Sequence, residues 1–273
     1  MSLYTLAGEH GSCTVLSFGA QLLSWKLPDS QEQLYLSPRT QLDGSVAIRG
    51  GVPICFPQFN LRVIGQHALA KHGFARQLPW QMTDQSENKL CFSLDSSEQT
   101  LKWWPYAFSA RLGVSLEPRG LRVAMQVLNT GQVTMPFALA LHTYLRVSDV
   151  RQVALHGLQD VPFWDAVKHL QRPDVRNFDA DPLRFGTEID RVYANAPREL
   201  ILRDGERQMR VVSSASLPDT VVWNPGPALC AKLVDMPPDG WQHMLCVEAA
   251  CIQAPVRLEP AQSWEGWQFL QLG

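Results

Sequence analysis

Two ionisable residues stand inside apolar, β-favouring runs: His142 in ALHTYLRVSD (140–149) and Glu248 in MLCVEAAC (244–251). Strand alternation puts His142 and Tyr144 on one face, with Leu141, Thr143 and Leu145 on the other. An imidazole donates or accepts a proton near neutral pH, with an unperturbed pKa of about 6.5. A carboxylate is rarely buried without a partner. Glu248 is therefore either half of an ion pair with an arginine or a base held in a site. His142 is either a hydrogen-bonded core histidine or its acid/base companion. Separation in sequence leaves both alternatives open.

Further stretches carry cations and polar groups in company that packing alone does not explain. AIRGGVPICFPQFN (47–60) places Arg49 beside a glycine pair and two prolines. Glycine lets a backbone approach a ligand closely, and arginine suits phosphate or carboxylate; a surface arginine at a turn is the plainer reading. KHGFAR (71–76) gathers Lys71, His72 and Arg76 around one glycine, a small anion site or a solvated loop. In TEIDRVY (187–193), Asp190 either bonds a polar substrate or pairs with Arg191. VVWNPG (221–226) offers Trp223 as a sugar-stacking face or a buried aromatic, and Asn224 as a positioning group.

Short strands must position these groups. Apolar runs are read at 13–18, 21–27, 80–82, 90–94, 111–116, 121–129, 200–203, 208–212, 229–234 and 244–250. Glu117-Pro118-Arg119-Gly120 and Asp204-Gly205 are turn sequences between pairs of them. Leu121, Val123, Met125 and Val127 alternate with Arg122 and Gln126, so one face is apolar. A helix is expected only at 97–104, with serines and Glu98 at its start and Pro105 closing it. Recurrent short strands between Gly, Pro and Asp turns predict an all-β sandwich or barrel. No fixed-period repeat or linker-like segment divides the chain, so one domain over 1–273 is expected.

The totals bound the function. With 273 residues, 45% of them hydrophobic, the chain can bury a sizeable core. A formal net charge of −2 argues against a nucleic-acid binder, so any bound anion should be small and held by local cations. The six cysteines form no CxxC pair and no zinc spacing, and are read as reduced, buried thiols. The first residues lack a basic region followed by an apolar core, and no stretch approaches the roughly 18 apolar residues of a membrane helix. A cytoplasmic protein with no membrane partner is expected, and a monomer is the default for one domain of this size.

Taken in order, RGGVPICFPQF, HGFAR, LHTYLRVSD, DRVY, VVWNP and CVEAA resemble the hexose-6-phosphate mutarotases, the glucose-6-phosphate 1-epimerases of the aldose 1-epimerase superfamily. The motifs run from Arg49 to about Ala250, most of the chain. The resemblance implies a large antiparallel β-sandwich of the galactose-mutarotase type, working without a metal or organic cofactor. It implies His142 and Glu248 as catalytic residues, and Asp190 and His72 as contacts to sugar hydroxyls. Arg49 and Arg76 match arginines that hold the 6-phosphate of a small-molecule substrate. Lys71 and Trp223 are added as substrate contacts from their place in the motifs. The sequence departs from the family pattern at Lys71, where relatives carry glutamine or another residue, and at Gln58, where tryptophan or a small apolar residue is common. Three alternatives stand beside this reading: a mutarotase of unphosphorylated aldoses, a non-catalytic sugar-phosphate-binding module, and a structural or interaction protein in which these residues are core ion pairs.

Overall fold

In a computed structural model, the protein is described over residues 1–29, 31–64, 67–168 and 178–273. Every pairing between named strands is antiparallel. A three-stranded sheet joins Leu3–Gly8, Gly11–Leu16 and Gln21–Lys26. An eight-stranded sheet runs in the order Ala154–His156, Glu199–Asp204, Arg207–Ser213, Ser263–Leu272, Gly120–Asn129, Phe108–Glu117, Lys89–Asp95, Gln81–Gln85. A seven-stranded sheet runs Phe163–Asp165, Ile189–Tyr193, Asp219–Asn224, Met244–Leu258, Met135–Leu141, Ile54–Cys55, and Tyr144–Arg146 also pairs with Met244–Leu258. The expected all-β sandwich is the architecture observed.

The two large sheets bury one face of each against the other. Leu121, Val123, Met125 and Val127 point inward from Gly120–Asn129, as their alternation requires, and join one core with Leu139, Leu141, Leu145, Val247 and Ala249. Polar links also cross between the sheets: Thr143 Oγ1 donates to Gln268 Oε1 at 2.5 Å, and Gln268 Nε2 donates to the Val247 carbonyl at 3.0 Å. The opposite face of the seven-stranded sheet is also covered, by Phe59, Trp164 and neighbouring apolar side chains. Burial on both faces is why Met135–Leu141 is a continuous apolar run rather than an alternating one.

Local expectations hold with shifted ends, except one. Glu98–Trp103 is helical, with Ser97 and Thr100 forming a reciprocal capping box. The run expected as a strand at 229–234 instead begins inside a short helix, Gly226–Cys230, with Pro227 in its first turn, and continues without strand structure. Its apolar residues are too few to show a period, and Pro227 favours the helical start.

Candidate active site

Strand register brings the two ionisable residues together. Ala249 pairs with Leu141, and Cys246 with Tyr144, along one antiparallel ladder. Between those pairs His142 lies opposite Glu248, and opposed residues share a face. The ladder opens slightly here, because the His142 amide donates to the Pro53 carbonyl at 3.0 Å. The result is His142 Nδ1 at 3.4 Å from Glu248 Oε1, with the two residues 8% and 1% exposed. Among the described residues Glu248 has no arginine partner, which answers the question its sequence raised. The next row on the same face is Asp190, Trp223, Cys246 and Tyr144, each paired across to the next.

Two loops close over this face. Gly50 and Gly51 both have positive φ, and a Cβ on either would meet a backbone oxygen of Tyr35 or Leu22 within 2.4 Å. This close packing fixes where Arg49 emerges. Its guanidinium donates to Asp235 Oδ2 at 3.1 Å and to the Tyr144 hydroxyl at 3.2 Å, and lies 5.8 Å from the Trp223 ring. In the second loop His72 itself takes a left-handed φ of 68°. Its Nδ1 accepts from the Asn60 amide at 3.2 Å, which leaves the proton of the neutral ring on Nε2. The ring stands edge-on to His142 with centroids 5.5 Å apart. Gln58, the departure from the family pattern, is buried and bonds backbone groups of Asn60, Leu69 and Ala70. It holds the loop that bears Lys71 and His72. Arg76 donates to the Lys71 carbonyl at 2.8 Å, while its Nε is buried without a hydrogen-bond partner among the described residues.

Arg49, Lys71, His72, Arg76, His142, Asp190, Trp223 and Glu248 all line one cleft of about 740 Å³. Such a volume suits a small polar molecule. Trp223 is half-buried there rather than enclosed in the core. Asn224 faces elsewhere: it donates to the Trp241 and Met244 carbonyls and accepts from the Gly226 amide, all at 2.8 Å. Its role is to pin the chain behind Trp223. Arg191 pairs with Asp179 and not with Asp190, which removes the structural alternative for that aspartate.

Burial dominates the electrostatics. It pushes the His142 imidazole well below its ordinary pKa, helped by the Arg76 and Arg49 charges, and pushes the Glu248 carboxyl well above its own, helped by Asp190. Burial, and after it the neighbouring His142, hold His72 neutral. Asp190 rises to about 6, mainly through burial, with Glu188 and Asp165 adding to it and Lys71 opposing. Both directions favour uncharged side chains, with one titratable proton on the Glu248 carboxyl beside a neutral His142 imidazole. The imidazolium–carboxylate form and the imidazole–carboxylic acid form differ only in where that proton sits. A pair of this kind can take a proton at one substrate atom and supply one at another.

Two residues of the site carried little signal in the sequence, and a third, Tyr144, was placed there by strand alternation alone. Tyr144 stacks on His142 at 4.9 Å and 11°, and strand alternation already placed it on the same face. Asp235 reaches Arg49 from a loop 186 positions away, which no local pattern reveals. Cys246 looked like one more buried thiol, yet its Sγ belongs with His142 and Glu248 to a group whose ligating atoms lie within 4.8 Å of one another. Among the described residues this is the one such cluster able to hold a metal.

Residues 2–271 match the family model described as aldose 1-epimerase. A relative from Cenchrus ciliaris named "Putative glucose-6-phosphate 1-epimerase" is 34% identical over 276 residues, covering 96% of this chain and 82% of its own. An Escherichia coli relative of the same name is 37% identical over 243 residues, covering 85% and 77%. Among solved structures, a "putative mutarotase" from Salmonella typhimurium superposes with a TM-score of 0.88 at 31% identity, covering 99% of this chain and 90% of that one.

Proposed function

The chain belongs to the aldose 1-epimerase family, and we propose that the aldose it acts on is a cyclic hexose 6-phosphate, glucose 6-phosphate first, whose α and β anomers it interconverts. The observation that carries this reading is the buried His142–Glu248 pair in a cleft that also holds Arg49, Lys71 and Arg76. The names of the relatives agree with a phosphorylated substrate.

In the proposed reaction Glu248, as carboxylate, takes the proton of the C1 hydroxyl. His142, as imidazolium, gives its proton to the ring oxygen as the C1–O5 bond breaks. The open aldehyde then faces a neutral imidazole and a carboxylic acid, the form that burial of the pair favours. Rotation about C1–C2 presents the other face of the aldehyde, and closure returns both protons. No atom or electron is left over, and the chemistry described uses no metal or organic cofactor. Proton donors and acceptors placed this way contribute about 10²–10⁴-fold each. Asp190 and the Nε2–H of His72 bond sugar hydroxyls and keep the reacting atoms aligned, and Trp223 offers a ring face to the sugar.

The phosphate never reacts, so its binding energy serves to position C1. Arg49 already donates to Asp235 and Tyr144. Arg76, with its unpartnered Nε, and exposed Lys71 are therefore the stronger phosphate ligands, with Arg49 assisting. Arg76→Ala should lower kcat/KM for glucose 6-phosphate about 10- to 100-fold, matching the loss of a hydrogen bond to a charged group worth about 1.5–3 kcal/mol. Turnover of free glucose should be unchanged. An equal loss on both sugars would remove Arg76 from the phosphate site and favour the mutarotase of unphosphorylated aldoses.

A further inference from the structure

We propose that His142, Cys246 and Glu248 form an inhibitory site for a zinc-class divalent cation, which shuts the enzyme off by occupying its proton-transfer pair. The inference rests on the catalytic reading of His142 and Glu248 above. Cys246 and Glu248 are two residues apart on one strand and so share a face, while His142 stands opposite Glu248 on the neighbouring segment. All three residues are buried, and their ligating atoms lie within 4.8 Å of one another. Two of the polar atoms, His142 Nδ1 and Glu248 Oε2, are buried without a hydrogen-bond partner among the described residues. The proposed reaction leaves the Cys246 thiol without a task.

The dimensions suit the ion. Two ligand atoms each about 2.0–2.1 Å from a tetrahedral zinc are themselves about 3.3–3.4 Å apart. Nδ1 and Oε1 stand at 3.4 Å. The thiolate sulfur, bonded at about 2.3 Å, would have to close by about an ångström. One nitrogen, one sulfur and one oxygen donor favour zinc and its neighbours over magnesium or calcium, which select oxygen ligands. Three protein ligands leave the fourth position to water on the cleft side. Binding sends two protons to solvent, one from the thiol and one from the pair, because the bound ligands are thiolate, neutral imidazole and carboxylate. With both lone pairs on the metal, the C1 hydroxyl loses its base and the ring oxygen its acid.

The test measures anomer exchange of glucose 6-phosphate in metal-free buffer while zinc is titrated in and then removed with a chelator. Wild type should lose turnover, competitively with the sugar phosphate, and regain it on chelation. Cys246→Ser should keep its basal turnover and be at least about tenfold less sensitive to zinc; Cys246→Ala serves equally if the serine variant folds poorly. Cobalt(II) supplies a readout independent of activity: wild type should show a thiolate-to-cobalt absorption band that the variants lack. Equal zinc sensitivity in wild type and variant, or no thiolate band in wild type, would overturn the site. A Cys246-dependent cobalt band with undiminished turnover would overturn the inhibition. It would also count against His142 and Glu248 as the proton-transfer pair, which the first two outcomes would not.

Discussion

A carboxylic acid and an imidazole buried 3.4 Å apart are a poor way to stabilise a core, since an apolar pair would avoid their desolvation. Their presence at the floor of a cleft is what the proposed proton transfer accounts for. Glu248→Gln should accordingly reduce kcat by at least about 10²-fold. Its thermal midpoint should hold or rise, because an amide is neutral without the cost of keeping a buried carboxyl protonated. Activity assays beside a melting curve check both halves, and a folded variant with full turnover would exclude Glu248 as the base. Asp190 allows a second prediction. Folded Asp190 keeps its proton up to about pH 6, whereas the unfolded chain releases it near 3.8. Between those values the folded state binds more protons, so stability falls as pH rises, by up to about 3 kcal/mol in all. Asp190→Asn should remove that slope and gain the same amount at about pH 8 in urea unfolding, while weakening sugar binding. A variant with the wild-type slope would show that another group titrates there.

At the scale of elements, the site depends on two loops laid against one ladder. Gly73 follows His72 with a φ of 71°, and a Cβ there would lie 2.2 Å from the Phe56 carbonyl oxygen. Backbone cannot yield as a flexible side chain can. Gly73→Ala should destabilise the fold by about 2–4 kcal/mol and raise KM, as His72 and Lys71 move with the loop. Unfolding midpoints and steady-state kinetics would show this, and unchanged stability would mean the loop is not held by that contact. Much of this arrangement was legible beforehand. The alternation at 121–129 and the turns at 117–120 and 204–205 placed strands where the sheets have them, since period and turn chemistry are local. The eight site residues expected from the sequence all fall among the residues that line the cleft. What stayed hidden was non-local or ambiguous. The run at 229–234 was too short to show a period, so the helix Gly226–Cys230 was missed. The Arg49–Asp235 pair and the facing of His142 on Glu248 arise from loop contacts and strand register between segments far apart in the chain.

The whole molecule divides its work between the faces of one sheet. The inner face of the seven-stranded sheet builds the core with the eight-stranded sheet, and the outer face carries the proposed proton-transfer pair. The Thr143–Gln268–Val247 link lies directly behind His142 and Glu248, tying their ladder to the layer beneath. A chain with a net charge of −2 still concentrates Arg49, Lys71 and Arg76 in one cleft, so its attraction for an anion is local. That combination is the central claim: a proton-transfer pair at one end of the sugar and cations for its phosphate at the other. The most direct test is NMR exchange between the α and β anomeric protons of glucose 6-phosphate and of glucose, with wild type and His142→Ala. The account predicts rapid exchange on glucose 6-phosphate, much slower exchange on glucose, and a return to the buffer rate in the variant. Exchange on glucose 6-phosphate no faster than in buffer, or undiminished in His142→Ala, would contradict it.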